Sequence, residues 1–233
     1  MSAVATHHTI WGLVPAGGRG ERFGGETPKQ LIPVAGRPLL AWTLERLLRA
    51  GLAGLTVALP ESWLHTAAEI LPGEDRIRWV PGGDSRQLSV AACLASVPDD
   101  IDLVLVHDGA RPAVAVADLR ATIDAAADDG AAVLGRPVAD TLKRVEQGAI
   151  TATVDRQELF RAEKPQVIRP ELLQEALGRC FPDGFVGTDE ASIVARIPGV
   201  SIRAVVASRP NPKLTQTQDL RLVEMLLREE IES

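Results

Sequence analysis

Short apolar runs alternate along the chain with segments in which apolar residues recur three or four positions apart. Runs of the first kind predict β-strands, and spacing of the second kind predicts amphipathic helices. The strand candidates are residues 10–14, 55–59, 77–80, 103–107, 131–134 and 201–206. The helix candidates are residues 39–50, 62–71, 85–97, 116–128, 170–181, 189–196 and 217–231. Near-continuous hydrophobic strands such as LTVAL and LVLVH are typical of a sheet covered on both faces, so the alternation predicts an α/β, doubly wound, mostly parallel sheet.

Residues 138–157 depart from this alternation. Two β-prone runs flank a turn at residues 146–148, which predicts a hairpin. The segment has few large apolar side chains, and an isolated two-stranded hairpin is only marginally stable in water. We therefore expect a protruding β-arm that lies on its own domain or on a second subunit, within a single domain spanning residues 1–233.

The composition limits the classes of function. A formal net charge of −6 argues against general binding to nucleic acids or anionic membranes, which need a broad positive field. Cys93 and Cys180 each lie in a separate apolar helical pattern, which predicts two buried thiols rather than a disulfide or a metal site. Neither a secretory signal nor a long apolar span is visible, so we expect a cytoplasmic protein. Because the chain ends soon after its last helix candidate, we also expect a single activity.

The segment LVPAGGRGERFGGETPKQ follows the first strand candidate. Glycine-rich backbone approaches a phosphate closely, and Arg22 and Lys29 add full positive charges, so the segment indicates an anion site. It lacks the Gly-Lys-Ser/Thr ending of a P-loop, and Phe23 stands where a dinucleotide fingerprint needs glycine. A flexible surface loop with solvated charges remains the alternative from this segment alone.

The stretch PAGGRGERFGGETPKQ resembles the signature loop of nucleotidyltransferases that activate sugar or alditol phosphates, and most closely that of 2-C-methyl-D-erythritol 4-phosphate cytidylyltransferases. The motifs GGDSRQLSV, VHDGARP, PVADTLKR, TVDR, KPQ, TDEAS and NPKLT follow in the order of that family, so the resemblance spans nearly the whole chain. It implies a Rossmann-like nucleotidyltransferase fold. It also implies Mg²⁺-dependent transfer of a cytidylyl group from CTP to methylerythritol phosphate, with release of pyrophosphate, in non-mevalonate isoprenoid synthesis.

The resemblance also implies roles for individual residues. Arg22, Lys29 and Lys213 are the implied catalytic cations, while Ala16, Gly17, Gly18, Gly83, Asp84, Ser89 and Gly109 are the implied nucleotide contacts. Thr141, Arg156 and Arg111 are implied to bind methylerythritol phosphate, with Thr141 and Arg156 on an arm that crosses to the partner in a homodimer. Asp108 ends a strand candidate, where a carboxylate can hold Mg²⁺, although an aspartate before glycine also caps turns.

Several residues keep two interpretations. Arg111 either binds phosphate or braces the loop through an acidic neighbour, and His107 is expected to pack in the core. Residues 188–190 resemble a motif of the family, but their pattern favours the N-cap of a helix. Two positions depart from the family pattern: Lys164 stands where the family usually has threonine, which places a cation near the presumed acceptor, and residues 215–220 differ at a helix start.

Two other functions remain open. A relative acting on ribitol 5-phosphate or another polyol phosphate would have the same nucleotide half of the site. A nucleotide-binding regulatory module would keep the fold without turnover.

Overall fold

The computed structural model describes residues 8–17, 28–71 and 75–231, with side chains up to residue 229. The strands are β1 (Ile10–Pro15), β2 (Pro33–Val34), β3 (Arg37–Pro38), β4 (Gly54–Leu59), β5 (Ile77–Pro81), β6 (Leu103–Val106), β7 (Ala131–Pro137), β8 (Leu142–Glu146), β9 (Ala149–Val154), β10 (Phe160–Ile168) and β11 (Arg203–Val206). The helices are α1 (Leu39–Arg49), α2 (Leu64–Ile70), α3 (Arg86–Leu94), α4 (Val116–Asp129), α5 (Pro170–Asp183), α6 (Glu190–Val194) and α7 (Leu220–Ile231). Each predicted helix and strand has a counterpart among them.

Within these residues the main sheet has seven strands in the order β11-β7-β10-β6-β1-β4-β5. Neighbouring strands are parallel except at β10, which runs antiparallel to both β6 and β7. The prediction of a doubly wound, mostly parallel sheet is therefore confirmed. Because β1, β4, β5, β6 and β7 point the same way, their carboxyl ends share one edge, where ligands of open α/β sheets bind.

Strand β10 was not predicted from the sequence. Pro165 lies inside it, and Arg161, Glu163 and Lys164 interrupt its hydrophobic pattern. A proline within a run argues against a central strand because it cannot donate a ladder hydrogen bond. The structure accommodates Pro165 where the pairing of β10 with β7 is interrupted, between Ala162 and Gln166. Val167 and Ile168, at the end of β10, are buried like the residues of the other core strands.

Helices cover both faces of the sheet, as the continuous hydrophobic strands predict. In β6, Leu103 and Leu105 belong to the core layer that contains α1 and α4. Val104 and Val106 belong to the opposite layer, with side chains from α3, α5 and α6. Cys93 and Cys180 are buried free thiols, as expected. None of the helices in the described part of the chain is long and apolar enough to cross a membrane.

The predicted arm is the hairpin β8-β9. Its two-residue turn, Gln147-Gly148, has positive φ at both positions, which suits the twist of a tight hairpin. Val145 pairs with Ile150 across the strands, and these side chains are 57% and 67% exposed. The arm leaves the sheet between the end of β7 and the start of β10, and therefore from the same edge as the carboxyl ends of β1 and β6.

Candidate active site

Three loops converge where β1, β5 and β6 end. An ideal Cβ at Gly17 would lie 3.2 Å from Ser89 Oγ and 3.4 Å from Gly82 Cα. One at Gly109 would lie 3.4 Å from the Cβ of Ala16. The structure thus brings the predicted nucleotide contacts after β1 and β6 against the loop between β5 and α3. A side chain at Gly17 or Gly109 would crowd the backbone at this edge, and we call this part of the surface the glycine floor.

Ser89 fixes the loop that precedes α3. Its Oγ accepts a hydrogen bond from Gly83 N (3.2 Å) and donates one to the carbonyl oxygen of Ser85 (3.0 Å). Ser85 itself is the N-cap of α3, accepting from Leu88 N at 3.1 Å. Asp84 is exposed beside this cap. Ser85 is therefore the residue of this motif that caps α3, while Ser89 holds the backbone of Gly83 in place.

Asp108 is buried directly after β6 and is surrounded by cations. Its Oδ1 lies 3.1 Å from Arg86 Nη2, and its Oδ2 lies 3.1 Å from Lys213 Nζ and 3.5 Å from Arg111 Nε. Burial alone would raise the pKa of this carboxyl, but the neighbouring positive charges, that of Arg86 most strongly, lower it well below its ordinary range. Asp108 is therefore a fixed negative charge at the sheet edge.

A late segment of the chain closes over the loop after β6. The backbone N–H of Leu214 donates to the carbonyl oxygen of Ala110 (2.8 Å), and Arg111 Nη1 donates to that of Asn211 (2.6 Å). Lys29 Nζ donates to the carbonyl oxygen of Leu214 at 2.7 Å. These contacts bring Lys29 against the segment that carries Lys213. Two lysines far apart in sequence are thus brought to the same segment of the chain.

Matches with known proteins identify the family of this chain. The family model IspD, 2-C-methyl-D-erythritol 4-phosphate cytidylyltransferase, matches residues 10–229. The chain belongs to this family. A curated relative of that name from Acidobacterium capsulatum is 40% identical over an alignment of 234 positions. The alignment covers 94% of this chain and 98% of the relative.

Solved structures carry the same likeness. The crystal structure of 2-C-methyl-D-erythritol 4-phosphate cytidylyltransferase from Thermus thermophilus has a TM-score of 0.79 at 34% identity, covering 94% of this chain and 99% of that one. The 4-diphosphocytidyl-2C-methyl-D-erythritol synthase from Anaerococcus prevotii has a TM-score of 0.84 at 22% identity, covering 95% of this chain and 96% of that one, and supports the fold.

Sequence reasoning did not single out Arg86 and Glu190 of this cytidylyltransferase chain. The Arg86 guanidinium spans two carboxylates, because its Nη1 lies 2.5 Å from Glu190 Oε1 while Nη2 contacts Asp108. Asp189 caps α6 as predicted, accepting from Ser192 N at 2.8 Å. The capping interpretation was correct for Asp189 and overlooked its buried neighbour. The presence of both residues inside quoted motifs, GGDSRQLSV and TDEAS, was the available signal.

Lys164, the departure from the family pattern, is buried on β10 and ion-paired with Glu190. Burial lowers the pKa of Lys164, although the Glu190 carboxylate counteracts part of this effect. Burial would raise the pKa of Glu190, but the charges of Lys164 and Arg86 outweigh it and lower that pKa. The extra cation expected near the acceptor is therefore already matched by a carboxylate.

The remaining predicted residues lie apart from this cluster or outside the described chain. Thr141 and Arg156 are exposed at the base of the arm, where Arg156 donates to the carbonyl oxygen of Ala139. No hydrogen bond or ion pair in the described part of the protomer joins either of them to Asp108. Gly18 and Arg22 lie outside the described residues.

His107 is packed in the core, as expected. It is fully buried, and its Nε2 lies 3.1 Å from the carbonyl oxygen of Arg111. Burial is the main cause that lowers the pKa of His107 to about 4. Arg111 braces the same loop through Asp108 and Asn211, which is the structural one of its two interpretations.

The donor set limits how a divalent cation can be held. Among the described residues, no group of three or more His, Cys, Asp or Glu side chains is placed to bind a metal ion. Asp108 offers a hard carboxylate at the sheet edge, and Mg²⁺ is commonly bound by one or two carboxylates together with substrate phosphates and water. The residues fit an ion that takes most of its ligands from a bound triphosphate.

Proposed function

We propose that this protein transfers the cytidylyl group of CTP to 2-C-methyl-D-erythritol 4-phosphate, as a step of non-mevalonate isoprenoid synthesis. An oxygen of the acceptor's phosphate forms a bond to the α-phosphorus of CTP, the bond from that phosphorus to the bridging oxygen breaks, and pyrophosphate leaves. A phosphate monoester is largely dianionic at neutral pH, since its second pKa is about 6. The reaction therefore needs positioning and charge stabilisation more than a strong general base.

The observation that carries this proposal is the meeting of a narrow glycine floor with a cluster of cations. Gly17 is partly exposed at this edge, and without a side chain its backbone leaves room for a triphosphate to approach closely. Lys29 and Lys213 approach the same edge from a loop after β1 and from the late segment. These ammonium groups would bind phosphate oxygens and stabilise the charge that grows on the departing pyrophosphate.

We further propose that Mg²⁺ accompanies the triphosphate, with Asp108 as a protein ligand. The ion would neutralise part of the negative charge of the nucleotide, which eases the approach of an anionic acceptor. Supporting this assignment, the carboxyl of Asp108 stays ionised at every relevant pH because its pKa is held low.

A homodimer formed through the arm of residues 138–157 completes the proposal. The cross-strand pair Val145 and Ile150 is exposed in the protomer, and a C₂ partner would cover it. Thr141 and Arg156 would then reach the acceptor phosphate in the partner's site instead of their own. The exposure of both residues and the position of the arm at the active edge support this arrangement. A cytoplasmic location remains a prediction of the sequence.

The test is pyrophosphate release by purified protein with CTP and Mg²⁺, comparing methylerythritol phosphate with ribitol 5-phosphate. We expect release with the first acceptor. Lys29→Ala should lower kcat by about a hundredfold, corresponding to about 3 kcal/mol for one preorganised donor. The matched control is Arg179→Ala, which breaks an exposed ion pair with Glu175 within α5.

Three results would contradict the proposal in different ways. Release with ribitol 5-phosphate alone would reassign the acceptor, because the nucleotide half of the site would be unchanged. CTP binding without turnover would favour the regulatory-module alternative. Full activity of Lys29→Ala would remove that residue from the mechanism.

A further inference from the structure

Lys164 is a buried ammonium group that the proposed reaction does not use. The residue is 4% exposed, and its Nζ is ion-paired with the carboxylate of Glu190. Its backbone carbonyl oxygen accepts a hydrogen bond from Asn211 Nδ2 at 2.6 Å. Removing a lysine from water is unfavourable unless its charge is matched, and a buried ion pair is often no more stabilising than apolar residues of similar size. Stability alone is therefore a weak reason for this pair.

The contacts of Lys164 close into a ring, which we call the ion-pair ring. Its members are, in order of contact, Lys164, Glu190, Arg86, Asp108, Arg111 and Asn211. They come from β10, from the starts of α6 and α3, from the loop after β6 and from the late segment. A change of charge at any one member is thereby felt by the others, since burial leaves little water to screen it.

Arg86 is the shared member of the ring. One guanidinium serves two carboxylates, at 3.1 Å from Asp108 and at 2.5 Å from Glu190. Without the charge of Lys164, Arg86 would be the remaining cation in contact with Glu190 among the ring's members. A buried carboxylate left with one shared partner draws that partner toward itself. Asp108 would then depend on its other two cations for neutralisation.

One of those two cations, Lys213, binds phosphate in the proposed reaction. Arg111 and Lys213 lie 3.5 and 3.1 Å from Asp108 Oδ2. A carboxylate that has lost part of its contact with Arg86 holds Lys213 more tightly, so this ammonium group becomes less available to a bound triphosphate. The charge on β10 and the affinity for nucleotide are in this way coupled through one arginine.

We infer that Lys164 is a positioning residue: by sharing the neutralisation of Glu190 it leaves Arg86 in contact with Asp108 as well, and so keeps Lys213 available to the phosphates of the nucleotide. This inference rests on the proposed function, in which this edge of the sheet binds CTP.

The test measures the affinity for two probes, CTP with Mg²⁺ and inorganic tripolyphosphate, by titration calorimetry. Lys164→Met should raise the Kd for both probes by about tenfold, within the usual range for coupling between residues of one network. The double variant Lys164→Met/Glu190→Gln should regain most of the affinity, because the carboxylate that competes for Arg86 is gone. Both variants lose the same lysine, so their difference reports the uncompensated charge and not the lost contacts of the side chain.

Thermal unfolding and pyrophosphate release accompany each titration. Lys164→Gln replaces Lys164→Met if the methionine variant is not recovered folded, since its amide can still donate to Glu190 while lacking charge. Arg179→Met is the control and should bind both probes as the unaltered protein does, because its ion pair is exposed and has no contact with a member of the ring.

Each outcome decides the inference. An unchanged Kd in Lys164→Met overturns it, and so does an equal loss of affinity in the single and double variants. If the unaltered protein binds tripolyphosphate but not CTP, the proposed function fails. The inference about Lys164 is then decided by the Kd values for tripolyphosphate alone. If it binds neither probe, both the proposed function and the inference are refuted.

Discussion

Acidification should destabilise this protein through His107. The imidazole is fully buried and neutral, and its Nε2–H donates to the carbonyl oxygen of Arg111. A second proton would have to sit on Nδ1, which has no hydrogen-bond partner among the described residues. Burial is the first cause that lowers the pKa of His107, and the nearby charges of Arg111 and Lys164 add to it. Unfolding removes these effects.

The magnitude follows from the difference between the two pKa values, about 4 in the folded protein and 6.5 as the ordinary value. A depressed pKa means that the unfolded chain takes up the proton first. The contribution is therefore fully present above pH 6.5 and is lost as the pH falls toward 4. At about pH 5 the loss amounts to about 2 kcal/mol. Asp108 contributes little in this window, because the ordinary pKa of an aspartate lies below it.

Urea unfolding at about pH 7.5 and about pH 5 measures this loss, with His107→Gln as the matched variant. Glutamine can donate to the Arg111 carbonyl oxygen but does not titrate. The unaltered protein should lose about 2 kcal/mol more than the variant between the two pH values. Equal losses in the two proteins would refute the assignment of this pH dependence to His107.

Two further predictions concern the glycine floor and the arm. Gly17→Val should raise the KM for CTP, since the added side chain would press on Ser89 Oγ and on the backbone of Gly82, beside the place proposed for the triphosphate. The variant should remain folded, as its thermal midpoint can show. Steady-state kinetics with an unaltered KM would contradict the placement. The double variant Val145→Asp/Ile150→Asp should be a folded monomer by sedimentation and should release no pyrophosphate. An active monomer would disprove the shared site.

The parts of the fold that the sequence predicted are those whose signal is local. Runs such as Leu103–Val106 are apolar on both faces, and only a strand between two helical layers uses such a run. The tight turn of the arm was visible because a glycine at position 148 separates two β-prone runs. Strand β10 was missed because its sequence is interrupted by Pro165 and by charges whose partners lie on other elements. The reason for its place in the sheet is tertiary.

The site shows the same division. Positions with a backbone role, such as Gly17 and Ser89, follow from a motif and its place after a strand. The partners of Arg86 could not be predicted, because Asp108 and Glu190 lie 22 and 104 positions away and meet it only through the packing of α3, β6 and α6. A charge at one position in a sequence has the same appearance whether it is solvated or paired. Only the fold distinguishes the two cases.

The buried charges explain how an acidic protein can bind a polyanion. The chain carries a net charge of −6, yet Arg86, Arg111, Lys164 and Lys213 surround the two carboxylates Asp108 and Glu190, so four positive charges and two negative ones leave an excess of two at this edge. Four cations without those carboxylates would repel one another and point into solvent. The carboxylates instead hold them in fixed positions, and the burial of Lys164, Asp108 and Glu190 weakens screening by salt there. Affinity for CTP should therefore fall less steeply with ionic strength than it does for a surface that binds nucleic acid through solvated lysines.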